Sequence, residues 1–400
     1  MERIMIPTTI KACFQTLFIV VLSQIANGQD RKITYKFNPG CDACVDENNT
    51  LVYTRAQGSH DTVHQIWDFT AGSPTVILSV AGVNSTLNIT WDGTVPSRFK
   101  FSETPKYSFA TAIDKIYEYN DLQDAGYIDA RSSRRVVPLR HVSWRLATDV
   151  RTDDEVMVLM RGHLRSEHRH GTIDVKLDLI PFKDYAVDLP HLIHTANSTL
   201  ADISLVNLTA SRDYNSSRFA LRVLLASVDD SNDTMRYAMR KSLDDEHTPG
   251  VFEIIEIKSP ESARSGDGGF LQFRPVAYTT PERGVTTSTI VHVSAFNRTS
   301  IPKGSTLETF FRHADASRLL LQDLLVSFGE AGDGFYEKHN YTSWSFTVGY
   351  GAPPLEGFSA FVIGIICVGL GLPVALAASG AVYALVRRRR AAPRRLLDDE

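Results

Sequence analysis

The sequence contains little cysteine. Four cysteines occur in 400 residues, and two of them, Cys13 and Cys367, lie in apolar stretches near the two ends of the chain. Only Cys41 and Cys44 remain for the long part between those stretches. This scarcity excludes a disulfide framework of the kind that holds small secreted domains together, so the chain must rely on a hydrophobic core.

Sequence motifs typical of enzymes are also missing. The chain has no Gly-x-Ser-x-Gly, no His-Glu-x-x-His and no glycine loop that would bind phosphate. Histidines cluster at 163–170 and at 191–194, but the arginines around the first cluster would repel a metal ion, which favours solvated histidines. We therefore predict no enzymatic activity, no cofactor and no metal.

The Cys-x-x-Cys spacing of Cys41 and Cys44 leaves more than one interpretation open. A redox-active pair needs a strand–loop–helix setting that lowers the pKa of one thiol, whereas these cysteines stand in the loop sequence NPGCDACVDENN. A zinc site would need a second pair of ligands. A local disulfide or two plain thiols are favoured, and a thiol oxidoreductase is the alternative.

Charged residues are absent from residues 357 to 386. A helix needs about 20 apolar residues to cross a bilayer, whereas the apolar run of a buried core helix rarely exceeds about 14 residues. We therefore predict a transmembrane helix over 357–386. The arginines at 387–390 then mark the cytoplasmic side, which leaves residues 387–400 as a cytoplasmic tail.

The first 28 residues have the pattern of a cleavable secretory signal. Basic residues at 3 and 11 accompany an apolar run at 14–22, and small residues stand at 26 and 28. Residues 29–356 are then an ectodomain on the far side of the membrane from the cytosol. The predicted topology is single-pass type I.

Acceptor sites for N-glycosylation are far more frequent than composition explains. Nine of the twelve asparagines in residues 29–356 begin an Asn-x-Ser/Thr sequence, whereas average usage of Ser and Thr predicts roughly two. These asparagines are Asn48, Asn84, Asn88, Asn197, Asn207, Asn215, Asn232, Asn297 and Asn340. We predict that they are exposed and that the ectodomain is heavily glycosylated.

Short apolar runs separated by Gly, Pro, Asn and Ser recur through residues 29–356. Their spacing predicts an all-β ectodomain of the antiparallel β-sandwich type. The proline-bearing stretch at 181–190 marks either a joint between two β-rich halves or a long loop within one domain. Helical periodicity is confined to 109–119 and 233–241, where we predict short helices.

Three segments resemble the glycosylated lysosomal membrane protein family, and the chain is similar to an invertebrate member. They read SLDDEHTPGVFEI at 242–254, LQFRPVAYTTPERG at 271–284 and YTSWSFTVGYGAPPLEGFSAFVIGI at 341–365. The resemblance implies a non-enzymatic accessory subunit in the lysosomal membrane. Its implied partner is a major-facilitator-superfamily transporter, which the glycosylated lumenal domain shields from proteases. No nucleic-acid partner is implied.

Two features depart from that family. Its members carry several lumenal cysteines in the C-terminal half, where this chain has none, so no disulfide position is carried over. Their tails also show a tyrosine-based sorting signal, whereas this tail lacks tyrosine. Leu396 and Leu397 form a candidate dileucine signal, although the usual acidic residue upstream is missing.

The predicted span is rich in small residues. Gly371 and Ala375, like Ala377 and Ala381, are four residues apart and fall on one side of a helix. Such a side allows another helix to approach closely, which suits a transporter helix or a homodimer. Glycine and alanine are also common in membrane helices without any such role. A single-pass cell-surface receptor or adhesion glycoprotein would share all these features and is the second functional interpretation.

Overall fold

About half of the described residues before Leu355 lie in β-strands. The computed structural model describes residues 31–44, 50–166, 169–182, 184–228, 232–261, 266–315, 317–355 and 360–390. The strands are β1 (Lys32–Phe37), β2 (Leu51–Gln57), β3 (Thr62–Asp68), β4 (Thr75–Ala81), β5 (Leu87–Asp92), β6 (Val95–Phe101), β7 (Tyr107–Asn120), β8 (Arg134–Pro138), β9 (Ser143–Arg151), β10 (Val156–Ser166), β11 (Arg169–Leu179), β12 (Ser198–Val206), β13 (Ser217–Val228), β14 (Arg236–Lys241), β15 (Glu253–Lys258), β16 (Gly269–Phe273), β17 (Val276–Tyr278), β18 (Ser288–Val293), β19 (Asn297–Arg298), β20 (Leu319–Phe328) and β21 (Tyr341–Tyr350). The α-helices are α1 (Thr306–Phe311) and α2 (Ala360–Arg390).

The strands form two antiparallel layers, which confirms the predicted fold class. Sheet 1 runs β1–β2–β3–β4–β7–β13–β20, with β8 beside β7 and β19 beside β20. Sheet 2 runs β9–β10–β11–β12–β21–β16–β15–β14. Strand β18 pairs with β17 at one end and with β20 at the other, and so joins the layers.

The main core lies between the two sheets. Sheet 2 contributes Ile173, Val175 and Leu177 of β11, whose alternation with charged residues was visible in the sequence. Polar contacts also cross the core, since the indole nitrogen of Trp67 in β3 donates to the hydroxyl of Thr199 in β12 at 3.0 Å. Hydrogen bonds between the inner faces of the two sheets therefore fix their relative position, in addition to the burial of apolar area.

A second, smaller core covers the outer face of sheet 1, the face that points away from sheet 2. The hairpin β5–β6 and helix α1 supply this cover, with Ile89, Leu307 and Phe311 packed among residues of sheet 1. Ser305 caps α1 by accepting a hydrogen bond from the backbone of Glu308 at 3.2 Å. Sheet 1 is consequently buried on both faces along its central strands.

The helix predicted at 109–119 is wrong, because these residues belong to strand β7. Phe109, Ile113 and Ile116 point into the main core and have the spacing of one side of a helix. A bulge produces that spacing: Ile113 pairs with Val223 and Lys115 with Arg222, so Asp114 is the extra residue. An interrupted strand alternation thus imitated a helical period.

The helix predicted at 233–241 is also wrong. Residues 236–241 form β14, which pairs with β15 and lies at the edge of sheet 2. As an edge strand, β14 leaves both of its faces largely exposed, so the apolar alternation of a half-buried strand is absent from the sequence there.

Residues 181–190 connect β11 to β12, two strands that pair directly with each other. The connection lies over the outer face of sheet 2, the face away from sheet 1, where Leu189 and Leu192 pack against Leu200 and Ile254. The residues of the unit Gly28–Leu355 that the structure describes form one compact body, and α2 belongs to a second unit.

Candidate functional site

Seven predicted glycosylation sites expose their asparagine, as the sequence predicted. Those residues are Asn84, Asn88, Asn207, Asn215, Asn232, Asn297 and Asn340. Asn197 is half-buried, and its side-chain oxygen is buried without a hydrogen-bond partner among the described residues. Asn48 lies outside the described residues.

Two of these asparagines come together at one end of sheet 2. Asn207 follows β12 and Asn340 precedes β21, and the backbone nitrogen of Asn207 donates to the carbonyl of Asn340 at 2.8 Å. Both adopt the left-handed backbone conformation, with φ of 50° and 55°, which asparagine tolerates better than most residues. Glycans attached there would cover the same end of the domain.

Cys41 and Cys44 are joined by a disulfide. They lie in the turn that follows β1, and the structure describes no helix between them and β2 outside the gap at 45–49. The pair therefore lacks the helix N-terminus that lowers a thiol pKa in redox-active motifs, within the part of the chain described.

The segments that carry the family resemblance meet around β21. Strand β16 pairs with β21 through Leu271 and Val348, and β17 reaches it through Tyr278 and Ser343. The third segment, 242–252, is a loop that Arg274 holds against these strands. Residues far apart in the sequence therefore form one centre on sheet 2.

Arg274 is the anchor of this centre, and its side chain is 1% exposed. The guanidinium donates to the carbonyls of Leu243 and Val251, each at 3.0 Å, and to that of His191 at 3.1 Å. It also forms an ion pair with Asp245 at 3.0 Å. One buried cation thus ties the loop 242–252 and the 181–194 connection to the strands.

Asp245 organises the turn that it begins. Its carboxylate accepts hydrogen bonds from the backbone nitrogens of His247 and Thr248, at 2.7 and 3.0 Å. Burial alone would raise its pKa, but the Thr248 hydroxyl and the charge of Arg274 outweigh burial and lower it. The Tyr278 hydroxyl donates to the carbonyl of His247 at 2.8 Å and completes the contact.

Two further arginines extend the centre. Arg283 donates to Asp202 of β12 and to the Ser345 hydroxyl of β21, both at 2.8 Å. Arg240 of β14 pairs with Glu256 at 2.5 Å and donates to the carbonyl of Pro354 at 2.9 Å. Each of the three arginines therefore contacts a carboxylate, so none of these buried or half-buried cations is left without a counter-charge.

Within the described ranges, no group of three or more His, Cys, Asp or Glu side chains is placed to hold a metal ion. His194 is almost fully buried, and burial lowers its pKa to about 4. Asp178, on the same outer face of sheet 2, has its pKa raised to about 6 by burial, with a further contribution from Glu155. The charge of Lys176 lowers the pKa of both side chains, so the two groups titrate in the same part of the domain.

Replacing Asp178 by asparagine is expected to stabilise the protein at neutral pH. Because the pKa of Asp178 is higher in the folded protein than in the unfolded chain, the contribution of this group to stability is fully present below the unfolded pKa near 3.9. That contribution is lost as pH rises through 6. The substitution removes that loss, so we expect a gain of up to about 3 kcal/mol near pH 7 and almost none near pH 4. Thermal unfolding of the full chain measured across this range tests it.

His194→Gln is the matched variant, and its effect on stability should have the opposite dependence on pH. A lowered pKa gives stability that is present above 6.5 and lost as pH falls towards 4, so this variant should gain stability only in acid. If both variants follow the wild-type pH profile, the buried ionisations do not control stability.

The segment Val362–Arg388 of the C-terminal helix is long enough and has a high enough mean hydropathy to cross a membrane. Gly371, Ala375, Ala377 and Ala381 all lie within it, as does Pro373. Leu396 and Leu397, the predicted signal at 1–28 and most of the predicted tail lie outside the described residues.

Comparison with known proteins gives one consistent family. The model of the family described as glycosylated lysosomal membrane protein matches residues 50–391. Glycosylated lysosomal membrane protein A of Xenopus laevis is 27% identical over 379 residues, which cover 90% of this chain and 91% of that protein. The Danio rerio protein of the same name is 28% identical, covering 90% of each chain. The Homo sapiens protein is 26% identical, covering 85% of this chain and 84% of its own length.

Proposed function

Because the chain belongs to the glycosylated lysosomal membrane protein family, a family of lysosomal membrane glycoproteins, we propose that it is a non-enzymatic accessory subunit of a lysosomal transporter. The partner is a transporter of the major facilitator superfamily, which the ectodomain protects from lysosomal proteases. The relatives are named as membrane glycoproteins and not as enzymes, which agrees with this role.

The distribution of exposed sequon asparagines carries the proposal. They occur on the outer side of sheet 1, at Asn88 and Asn297, and at the end of sheet 2, at Asn207 and Asn340. A bulky glycan cannot enter a packed core. Glycans at these positions would surround the domain on several sides and hold proteases away from its backbone.

Removing the glycans tests the shield. We expect replacement of all nine sequon asparagines by glutamine to shorten the lysosomal lifetime of both this protein and its transporter several-fold. A pulse-chase measurement in cells, with the transporter identified by co-purification and mass spectrometry, gives both lifetimes. Enzymatic deglycosylation of the folded protein, followed by exposure to lysosomal proteases, separates loss of the shield from poor folding. Unchanged lifetimes and unchanged protease resistance would refute the shield.

The helix α2 supplies a second test, because small residues on one side let a partner helix approach closely. We expect simultaneous replacement of Gly371, Ala375, Ala377 and Ala381 by leucine to reduce co-purification of the transporter at least about tenfold. Leucine preserves hydrophobicity, so insertion in the membrane is retained.

The control adds bulk to the opposite side of the helix. At about 100° per residue, Gly369 lies almost opposite the centre of the other four positions. Gly369→Leu should leave co-purification unchanged. Wild-type recovery of the transporter with all four leucines would assign the contact to the ectodomain, and loss of a self-associated form instead would indicate a homodimer.

A further inference from the structure

A cleft with a volume of about 580 Å³ opens on the outer face of sheet 1. Its walls come from the bulge of β7, from β8 and from the loop 299–305 that leads into α1. This volume falls in the range of small-ligand sites. The cleft is separate from the Arg274 centre, which lies on sheet 2.

Cationic, hydroxyl and aliphatic side chains share the walls of the cleft. Lys115, Arg140 and Lys303 line the cleft, and Arg140 and Lys303 are exposed and make no salt bridge with another described residue. The hydroxyls of Ser73, Thr299, Ser300 and Ser305 lie beside them. Such walls offer several hydrogen-bond donors and acceptors together with apolar area, which suits a sugar, because its ring carries both hydroxyl groups and apolar C–H groups.

The floor of the cleft is a fixed ion-pair network. Arg222 donates to Asp114 at 2.9 Å and to Asp323 at 2.6 Å, and it also donates to the Thr299 hydroxyl at 2.8 Å. These partners hold the guanidinium and the Thr299 side chain in place before any ligand arrives. A preformed polar floor of this kind lowers the entropy that binding must overcome.

One glycosylation sequon is part of this cleft. Asn297 pairs directly with Asp323 across the β19–β20 ladder, so both side chains are on the same face of sheet 1. Thr299, the hydroxyl residue of that sequon, lines the cleft itself and lies about 7 Å along the strand from Asn297. A glycan on Asn297 therefore starts at the rim of the cleft.

We propose that the cleft is a carbohydrate-binding site whose occupant is the inner part of the N-glycan attached to Asn297. Arginine, lysine and hydroxyl side chains match the donors and acceptors of neighbouring sugar hydroxyls. Covalent attachment gives the sugar a high effective concentration, so individually weak contacts suffice to seat it. The seated glycan covers the loop 299–305. This inference rests on the glycosylation proposed above and adds a fixed position for one glycan.

Site-resolved enzymatic release tests the proposal. The full-length glycosylated protein in detergent is treated with peptide N-glycosidase F without denaturant, and release at each asparagine is followed by mass spectrometry. Asn84 and Asn232, both exposed, provide the reference rates. A glycan seated nine-tenths of the time should be released about tenfold more slowly at Asn297.

Charge removal at the rim should abolish this protection. Arg140→Gln with Lys303→Gln changes two exposed side chains, and we expect release at Asn297 to rise to the reference rate. The control pair Arg145→Gln with Lys241→Gln, exposed on sheet 2, should change nothing. As a second measurement, the rate of Lys303 acylation should rise after glycan release, while that of Lys241 stays constant.

The outcomes separate this inference from the proposed function. Equal release at all sites, persistent protection in the rim variant, or an empty Asn297 among occupied sequons would each overturn the seated glycan and leave the shield intact. Absence of glycans from every sequon would overturn both. Acylation of Lys303 that a transporter suppresses after deglycosylation would instead assign the cleft to a protein partner.

Discussion

Replacing Arg274 by alanine is expected to lower the free energy of unfolding by about 3–5 kcal/mol, because it leaves a buried charge without its partner. Asp245 would remain buried opposite an empty space, and the carbonyls of Leu243, Val251 and His191 would lose their donor. Denaturant unfolding of the full chain measures the loss. Hydrogen exchange of the 242–252 loop should accelerate more than exchange in the sheets.

A surface ion pair on the same sheet provides the control. Arg161 pairs with Asp174 at 2.6 Å and is 44% exposed, so Arg161→Ala should cost only about 0.2–1 kcal/mol. Arg274→Lys keeps the charge but cannot serve several separated acceptors at once, and we expect an intermediate loss. Equal losses for Arg274→Ala and Arg161→Ala would show that the buried centre does not hold the loop.

Short apolar runs between turn-forming residues were sufficient to indicate strands of both kinds, such as β11, which is buried on one face, and β3 and β13, which are buried on both. The antiparallel class followed from the same spacing. Strands β8, β9 and β12 give a weaker sequence signal, because their residues interleave polar and apolar side chains without a clean alternation.

The ion pair between Arg274 and Asp245 could not be predicted from the sequence. Both residues lie in segments that resemble the family, LQFRP and SLDDEHTPG, so the sequence marked both segments as noteworthy. It gave no indication that the loop folds back over β16, because an ion pair between distant residues leaves no periodic pattern. Arginine and aspartate in those segments read equally well as solvated charges, and only burial distinguishes the two cases.

A second buried arginine offers a test that depends on pH. Arg218 of β13 is 5% exposed and contacts three carboxylates, those of Asp121 and Asp333 at 2.9 Å and that of Asp124 at 2.6 Å. These acids lie in the loops that follow β7 and β20, so one side chain fastens two loops to sheet 1. Burial acts to raise the pKa of Asp333, but hydrogen bonds from Thr289 and a backbone nitrogen, with the charge of Arg218, hold it below its usual value.

Replacing Arg218 by methionine should therefore cost more at neutral pH than in acid. In the wild type a lowered pKa gives stability that is present above the unfolded pKa, near 3.9, and is lost only as pH falls further. Without Arg218 the buried carboxylates favour their protonated forms, so the stability of the variant rises as pH falls. We expect a loss of about 3–5 kcal/mol near pH 7 and a clearly smaller loss near pH 4.5, measured by denaturant unfolding.

The control is Arg135→Met, which removes an exposed partner of Asp213 and should cost at most about 1 kcal/mol at either pH. A loss from Arg218→Met that is the same at both pH values would show that packing, and not charge, fixes the two loops.

The expected pH dependence has a consequence for a lysosomal protein. The variant would fold in low yield in the neutral secretory pathway. The molecules that reach the acidic lysosome would have close to normal stability. Its steady-state amount should therefore fall far more than its lifetime in the lysosome.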